Sequence, residues 1–115
     1  MGRFKIHCQE PWFSLIKSGQ KTVEGRKNSP YYQQIKAGDI VEFFVEEDSF
    51  LCLVTNVNSY ANLQEYLTCE TLTRALPGVD TIEQGLAIYH AWNSDKEIQK
   101  WGFLGIQISV LEQTA

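Results

Sequence analysis

Apolar and polar residues alternate near the start of the chain. From position 4 to position 8 every second residue is apolar, and the residues between them are lysine and histidine. A period of two is typical of a strand with one buried face, so this segment is predicted to be a strand with a basic outer side. The same reasoning, together with turn residues such as the acidic run 46–49, predicts further strands. The predicted strands cover residues 4–8, 22–26, 40–45, 50–57 and 103–111.

Helical spacing follows the first predicted strand. Pro11 stands at a favoured first helical position, and Gly19 is a typical helix terminator. Between them, Trp12, Leu15 and Ile16 fall on one apolar stripe. This pattern predicts a short helix, and it favours a Trp12 side chain packed in the core over one that is free to stack on a ligand.

Capping residues mark the later helices. Asn62 and Ser94 are each followed three positions later by a glutamate, which is the pattern of a capped helix start. Asp80 or Thr81 can cap the helix between them. A single helical turn is predicted at residues 31–35. The order of strand, helix, two or three strands, two helices and strand favours a mixed α+β fold, built on a small, partly open β-barrel flanked by short helices.

Composition predicts one globular domain over residues 1–115, because a chain of this length can bury a sizeable core. No apolar run approaches the ~18 residues of a membrane span, and no secretory signal precedes the first strand, so we expect a cytoplasmic protein. The three cysteines include no C-x-x-C pair, and the two histidines lie far apart. We therefore expect reduced thiols, no metal site and no cofactor.

Charge is distributed unevenly along the chain. The net charge of −4 argues against tight, nonspecific binding of nucleic acid. However, seven of the ten basic residues and only two of the fourteen acidic residues precede Asp39. Such an asymmetry can give an acidic protein one positive face suited to phosphate. Alternatively, folding mixes the two segments and no such face results.

One glycine-flanked segment, residues 19–26, concentrates candidate chemistry. If its second half is a strand, Glu24 and Arg26 point to the same side while Val23 faces the core. Lys21, at the turn that enters the strand, can then swing over the same wall. Gly25 has no side chain to prevent the close approach of a ligand. The segment therefore predicts a charged cleft.

Three motifs, in the same order and at matching distances, give the chain a family resemblance. They are Gly19-x-Lys21-x-x-Glu24-x-Arg26, then Ile35-Lys36-x-Gly38-Asp39-x-Val41-x-Phe43, and finally Lys100-Trp101-Gly102-Phe103-Leu104-Gly105-Ile106-x-Ile108. With them the chain resembles the ASCH domain of the PUA-like superfamily, in its short stand-alone form. The resemblance implies a β-barrel flanked by helices, a cleft lined by the lysine, glutamate and arginine of the first motif, and a role in binding RNA or modified nucleosides.

One branch of that superfamily hydrolyses the acetyl amide of acetylcytidine. It uses a lysine and a threonine nucleophile in a closely related segment, and Lys21 matches that lysine. The position of the threonine is occupied by Glu24 here, and Thr22 offers a hydroxyl two positions earlier. The resemblance therefore implies the cleft more directly than it implies this activity.

Several interpretations of the segment remain open. In a binding site, Lys21 and Arg26 meet a phosphate or a base edge, Glu24 accepts from an exocyclic amine, and an aromatic residue stacks on a base. The candidates for stacking are Trp12, Tyr31, Tyr32 and Tyr60. The predicted contacts to RNA or a modified nucleoside are Lys5, Trp12, Lys21, Glu24, Arg26 and Lys27.

In an amidohydrolase or ribonuclease, Glu24 is the general base and Lys21 stabilises the developing negative charge, with Thr22 as a weaker candidate nucleophile. Glu24 and Arg26 can also form a purely structural ion pair. The domain would then be a protein-interaction module with an incidental cleft.

Overall fold

The computed structural model describes residues 2–111 of the chain. Its strands are β1 (Arg3–His7), β2 (Val23–Lys27), β3 (Ile40–Val45), β4 (Asp48–Tyr60) and β5 (Phe103–Val110). Its helices are α1 (Trp12–Lys17), α2 (Leu63–Glu70), α3 (Leu72–Ala75), α4 (Ile82–His90) and α5 (Asp95–Trp101), and a 3₁₀ turn covers Tyr32–Gln34. Within residues 2–111, no helix is long and apolar enough to cross a bilayer.

The strands form one curved sheet in the order β1-β3-β4-β5-β2. β1 runs parallel to β3, and the other neighbouring pairs are antiparallel. β1 and β2 are therefore the two edges of a half-barrel, with a seam between them. The register of β4 with β5 shifts between Val54 and Asn56, and such a bulge helps a long strand to bend. The predicted α+β fold on a partly open barrel is confirmed.

Two apolar clusters cover opposite faces of the sheet. The first lies inside the half-barrel, where Ile106 packs with Phe43 and Phe50. The second lies between the other face and the helices, where Val23 and Phe103 pack with residues of α2 to α5. β5 contributes to both clusters, and for this reason it is apolar on both faces near its start instead of alternating.

The predicted helix caps are present. The side chain of Asn62 accepts a hydrogen bond from the backbone N–H of Glu65 at 2.8 Å. Thr81, rather than Asp80, caps α4, and the Ser94 side chain caps α5. These caps are set by side chains within one turn of the helix start, so local sequence is sufficient to predict them.

The apolar stripe predicted for α1 is wrong by one position. Phe13 and Ile16, three residues apart, are its buried residues, whereas Trp12 and Leu15 are half-buried. The helix presents Phe13 to Phe50 inside the barrel, with ring centres 4.9 Å apart. Trp12 is consequently turned toward the boundary of the core.

Two further elements differ from the prediction. α3 was not predicted; it is separated from α2 by Thr71, whose φ of 74° interrupts the helix. β4 continues three residues beyond the predicted end at position 57, to Tyr60. The chain between β4 and β5 contains four helices, because α3 is added and because the segment after Ser94, expected as a last short turn beside two helices, forms α5.

Candidate functional site

A cavity of about 320 Å³ lies at the seam between β1 and β2. Lys21, Glu24 and Arg26, here called the ionic trio, are among the residues that line it. The remaining lining comes mainly from the end of β1, the start of α1, and the segment that runs from the last turn of α4 to Asn93. Both edge strands and α4, which lies far along the sequence from them, therefore meet at one site.

Lys21 lies at the wall of the same cavity as Glu24 and Arg26, and its side chain is buried there. Its Nζ donates hydrogen bonds to the backbone oxygens of Val23, at 2.6 Å, and of Ala75, and it lies 3.5 Å from Oε1 of Glu24. These three acceptors match the three N–H donors of an ammonium group. Burial lowers the pKa of Lys21 below its ordinary value, and the charge of Glu24 opposes that effect only in part. The three acceptors around Nζ nevertheless favour the ammonium form, because a neutral amine would have only two N–H donors for them.

Glu24 is the centre of the trio. Its Oε1 accepts from the backbone N–H of Gly25 at 3.2 Å, and its Oε2 accepts from Arg26 at 3.0 Å. The thiol of Cys8 lies 3.6 Å from the same Oε2. Burial by itself would raise the pKa of this carboxyl, but the charges of Arg26 and Lys21 outweigh burial and hold the pKa below its usual value. Glu24 is therefore an ionised carboxylate whose lone pairs are already engaged.

Arg26 joins the two edges of the half-barrel. From β2 its guanidinium donates to the backbone oxygen of His7 in β1 at 2.7 Å, in addition to Glu24. It also donates to the hydroxyl of Tyr32 at 3.2 Å. Its side chain is 25% exposed, compared with 1% for Lys21 and 7% for Glu24. Arg26 is thus the member of the trio that solvent reaches.

Two other predicted contacts also line the cavity. Trp12 does so because α1 buries Phe13 and Ile16 and leaves Trp12 at the boundary of the core. The centre of its ring lies 5.7 Å from Nζ of Lys21. Lys27 lies at the cavity as well, but its Nζ is 2.6 Å from Oε2 of Glu97 in α5. Its charge is therefore partly neutralised before any ligand arrives.

Lys5 and Thr22 do not belong to the cavity lining. Lys5 lies on the outer side of β1, with its Nζ 3.7 Å from Glu42 and 5.4 Å from the centre of the Phe44 ring. Thr22 lies just before β2, where its backbone N–H donates to the oxygen of Arg74 and its oxygen accepts from the N–H of Ile108. The structure therefore does not bring either residue to the ionic trio.

Of the three candidate tyrosines, only Tyr32 lines the cavity. The hydroxyl of Tyr31 bonds to the backbone of Lys5 at the edge of β1. Tyr60 donates to Glu70, a buried carboxylate that also accepts from Asn58, Arg74 and Gln107. This second carboxylate lies outside the cavity and is well supplied with donors.

The last turn of α4 and the loop after it form a wall of the cavity that the sequence does not predict. Ile88, Tyr89, Trp92 and Asn93 all line the cavity. Trp92 is 69% exposed, the highest value among the large apolar residues of the described chain. In the sequence, Trp92 stands out only because it lies outside any apolar stripe. That position does not show which part of the fold the side chain will contact.

Several basic residues of the first segment pair with acidic residues of the second. Arg3 and Lys5 both pair with Glu42, and Lys27 pairs with Glu97. In each case a basic residue of the first segment meets an acidic residue of the second. Folding therefore mixes the two segments at these positions, as the alternative interpretation expected.

No metal centre is formed by the part of the chain that the structure describes. Within residues 2–111, no group of three or more histidine, cysteine, aspartate or glutamate side chains could hold an ion.

Comparisons with known proteins agree with the fold. The family model for the ASCH domain matches residues 6–112. A crystal structure of hypothetical protein PH0355 has a TM-score of 0.89 and 31% identity, over 95% of this chain and 99% of that chain. A solution NMR structure of protein PF0455 from Pyrococcus furiosus has a TM-score of 0.80 and 32% identity, over 96% and 99% respectively. No curated protein matches the chain.

Replacing the buried ammonium tests its structural role. Lys21→Met keeps a side chain of similar length but leaves two backbone oxygens and Glu24 without their donor. We expect a loss of about 3–5 kcal/mol in the free energy of unfolding, measured by urea titration. Lys17→Met, on the exposed side of α1, is the control and should change stability by less than about 0.5 kcal/mol. Equal stability of Lys21→Met and the wild type would contradict this role.

The ionised state of Glu24 predicts a pH dependence of stability. Because its pKa in the folded protein lies below the usual value of 4.5, the unfolded chain takes up the proton first as the pH falls. Its contribution is therefore present above about pH 4.5 and is lost as the pH falls through the folded pKa.

We expect the unfolding free energy of the wild type to fall more steeply between about pH 5 and about pH 3 than that of Glu24→Gln. Some slope should remain in the variant, because the pKa of Glu70 is also lowered. Glu83→Gln, at an exposed position of α4, should keep the wild-type slope. If the slopes of Glu24→Gln and the wild type coincide, Glu24 does not make this contribution.

Proposed function

The chain belongs to the ASCH domain family, and we propose that its cavity binds one nucleoside unit, either as a modified nucleoside or within single-stranded RNA. One observation carries the proposal: the same cavity combines a charged, partly accessible Arg26 with the aromatic rings of Trp12 and Trp92. A nucleoside unit offers a flat ring to aromatic side chains and polar edges to an arginine.

The size of the cavity supports a ligand of this kind. At about 320 Å³ it is at the lower end of the range typical of small-molecule sites, which begins near ~300 Å³. This volume suits part or all of one nucleoside unit better than several bases together. The neighbouring units of an RNA strand would then lie outside the cavity.

The exposure of Trp92 supports a stacking role. Large aromatic side chains are normally buried, because removing them from water is favourable. Trp92 is instead mostly exposed at a cavity whose other lining includes Trp12 and Tyr32. A planar ring stacked on Trp92 would cover the apolar surface that the protein itself leaves in contact with water.

The contacts of Lys21 and Glu24 favour binding over hydrolysis. A general base needs a free lone pair and a pKa near the working pH, whereas Glu24 has engaged oxygens and a lowered pKa. An attacking lysine needs a neutral amine with a free lone pair. Burial lowers the pKa of Lys21, but the three acceptors around its Nζ favour the ammonium form, which has no free lone pair. We therefore assign both residues to the support of the site, and amidohydrolase or ribonuclease activity becomes an outcome of the test.

The test is to mix the protein with acetylcytidine and, separately, with short single-stranded RNA, and to measure both binding and product formation. Tryptophan fluorescence reports binding, and chromatography reports any product. We expect saturable binding without turnover. Trp92→Ala should weaken binding roughly 5- to 160-fold, because stacking on one aromatic side chain contributes ~1–3 kcal/mol per base.

Trp101→Phe is the matched control, since Trp101 does not line the cavity, and it should keep the wild-type affinity. Turnover of either compound would replace the binding proposal with the hydrolase. If neither compound binds nor reacts, the nucleoside proposal fails and a protein-interaction role gains support.

A further inference from the structure

The ionic trio has an excess of one positive charge. Lys21 and Arg26 are cations, and Glu24 is the single carboxylate between them. Two of the three side chains are almost completely removed from water, where an uncompensated charge is costly. The trio therefore favours a further negative charge close by.

The other groups at the cavity do not supply that charge. Burial raises the pKa of the Cys8 thiol, and Glu24 adds to that effect, so Cys8 is neutral. Burial likewise raises the pKa of Tyr89. The carboxylate of Glu97 is paired with Lys27. Among the described residues that line the cavity, Glu24 is the sole aspartate or glutamate.

Arg26 is the member of the trio that can meet a ligand. Three of the five N–H donors of its guanidinium are engaged, by His7, Glu24 and Tyr32. No acceptor for the other two is found within residues 2–111. A guanidinium that is fixed in position and has two unused N–H donors is well suited to bind an oxyanion, because charge-assisted hydrogen bonds are stronger than neutral ones. Lys21 adds its charge at short range without making a direct contact.

We propose that the site takes nucleotides by their phosphate group, with the phosphate against Arg26 and the base stacked on Trp92 at the exposed side of the cavity. This inference rests on the proposed function and adds an orientation to it. In the opposite orientation the base edge would meet Arg26 and the phosphate would lie in solvent. The two orientations differ in how much a phosphate adds to affinity.

The experiment compares the four common ribonucleosides with their 5′-monophosphates by isothermal titration calorimetry. For at least one base, we expect the monophosphate to bind the wild type at least ~10-fold more tightly than the nucleoside, as a charge-assisted hydrogen bond would give. Arg26→Gln should reduce that ratio to within ~2-fold of unity. Trp92→Ala should weaken the nucleoside and the monophosphate by similar factors and leave their ratio unchanged.

Two further variants make the result specific. Arg26→Lys keeps the charge but not the planar fork, so the ratio should shrink without disappearing, even if Arg26→Gln fails to fold. Lys17→Gln removes an exposed positive charge outside the cavity and should leave the ratio as it is in the wild type.

Each outcome has one meaning for the two proposals. Equal affinities for nucleoside and monophosphate in the wild type would overturn the phosphate orientation and leave the nucleoside site standing. A ratio that survives Arg26→Gln would place the phosphate elsewhere and would also overturn the orientation. If no ribonucleoside or monophosphate binds the wild type, the phosphate orientation is overturned; if acetylcytidine and short RNA also fail, the proposed function fails with it.

Discussion

The contact between Glu24 and its two cations is the interaction on which the rest of this structure depends. A half-barrel has two edge strands, and each edge presents backbone groups that need partners. Arg26 reaches from β2 to the backbone oxygen of His7 in β1, and Glu24 fixes the guanidinium in that position. The buried ammonium of Lys21 contacts Glu24, and it links β2 to α3 by donating to the backbone oxygens of Val23 and Ala75. Side chains thus complete a seam that backbone pairing leaves open.

Because the ionic trio completes the seam, each of its residues has fewer hydrogen-bonding groups left for a ligand. Lys21 and Glu24 use most of their hydrogen-bonding capacity within the protein, and both are almost fully buried. Arg26 retains free donors and some exposure because it stands at the surface of the network. The proposed binding role uses this difference, because it needs a preorganised, charged donor and not a mobile proton.

Gly25 illustrates how closely the same strand is packed on its other face. A methyl group at this position would lie 2.5 Å from the Tyr66 hydroxyl and 2.7 Å from the Phe103 ring. The hydroxyl of Tyr66 is in turn 2.8 Å from that of Tyr89, which lines the cavity. The position of the cavity wall is therefore coupled to the packing of β2 on the helices, so small changes in this core are expected to alter the shape of the site.

Local patterns in the sequence were enough to predict most strands, the helix caps and the shared side of Glu24 and Arg26. These features depend on residues within a few positions of one another. The burial of Lys21 could not be predicted in the same way, because it needs the carbonyl of Ala75, which is 54 positions away in the sequence.

The position of Trp92 at the cavity likewise depends on how α4 packs, and not on its neighbours in sequence. The place of Trp12 at the cavity is a further tertiary effect, since α1 buries Phe13 and Ile16 in the barrel instead of the predicted stripe. The charged segment and some of its neighbours at the cavity, such as Trp12 and Tyr32, were accessible to sequence reasoning, whereas the wall formed by α4 and the loop after it was not.

The structural role of Lys21 and the ligand-binding role of Arg26 are tested most directly by nitrogen-15 NMR of the Lys21 ammonium and the Arg26 guanidinium at neutral pH, with and without a nucleotide. We expect a Lys21 ammonium signal that exchanges slowly with water and barely moves when nucleotide is added, together with a clear shift of the Arg26 side-chain signals. A Lys21 signal that exchanges as fast as those of exposed lysines, or one that moves while Arg26 stays unchanged, would contradict these roles.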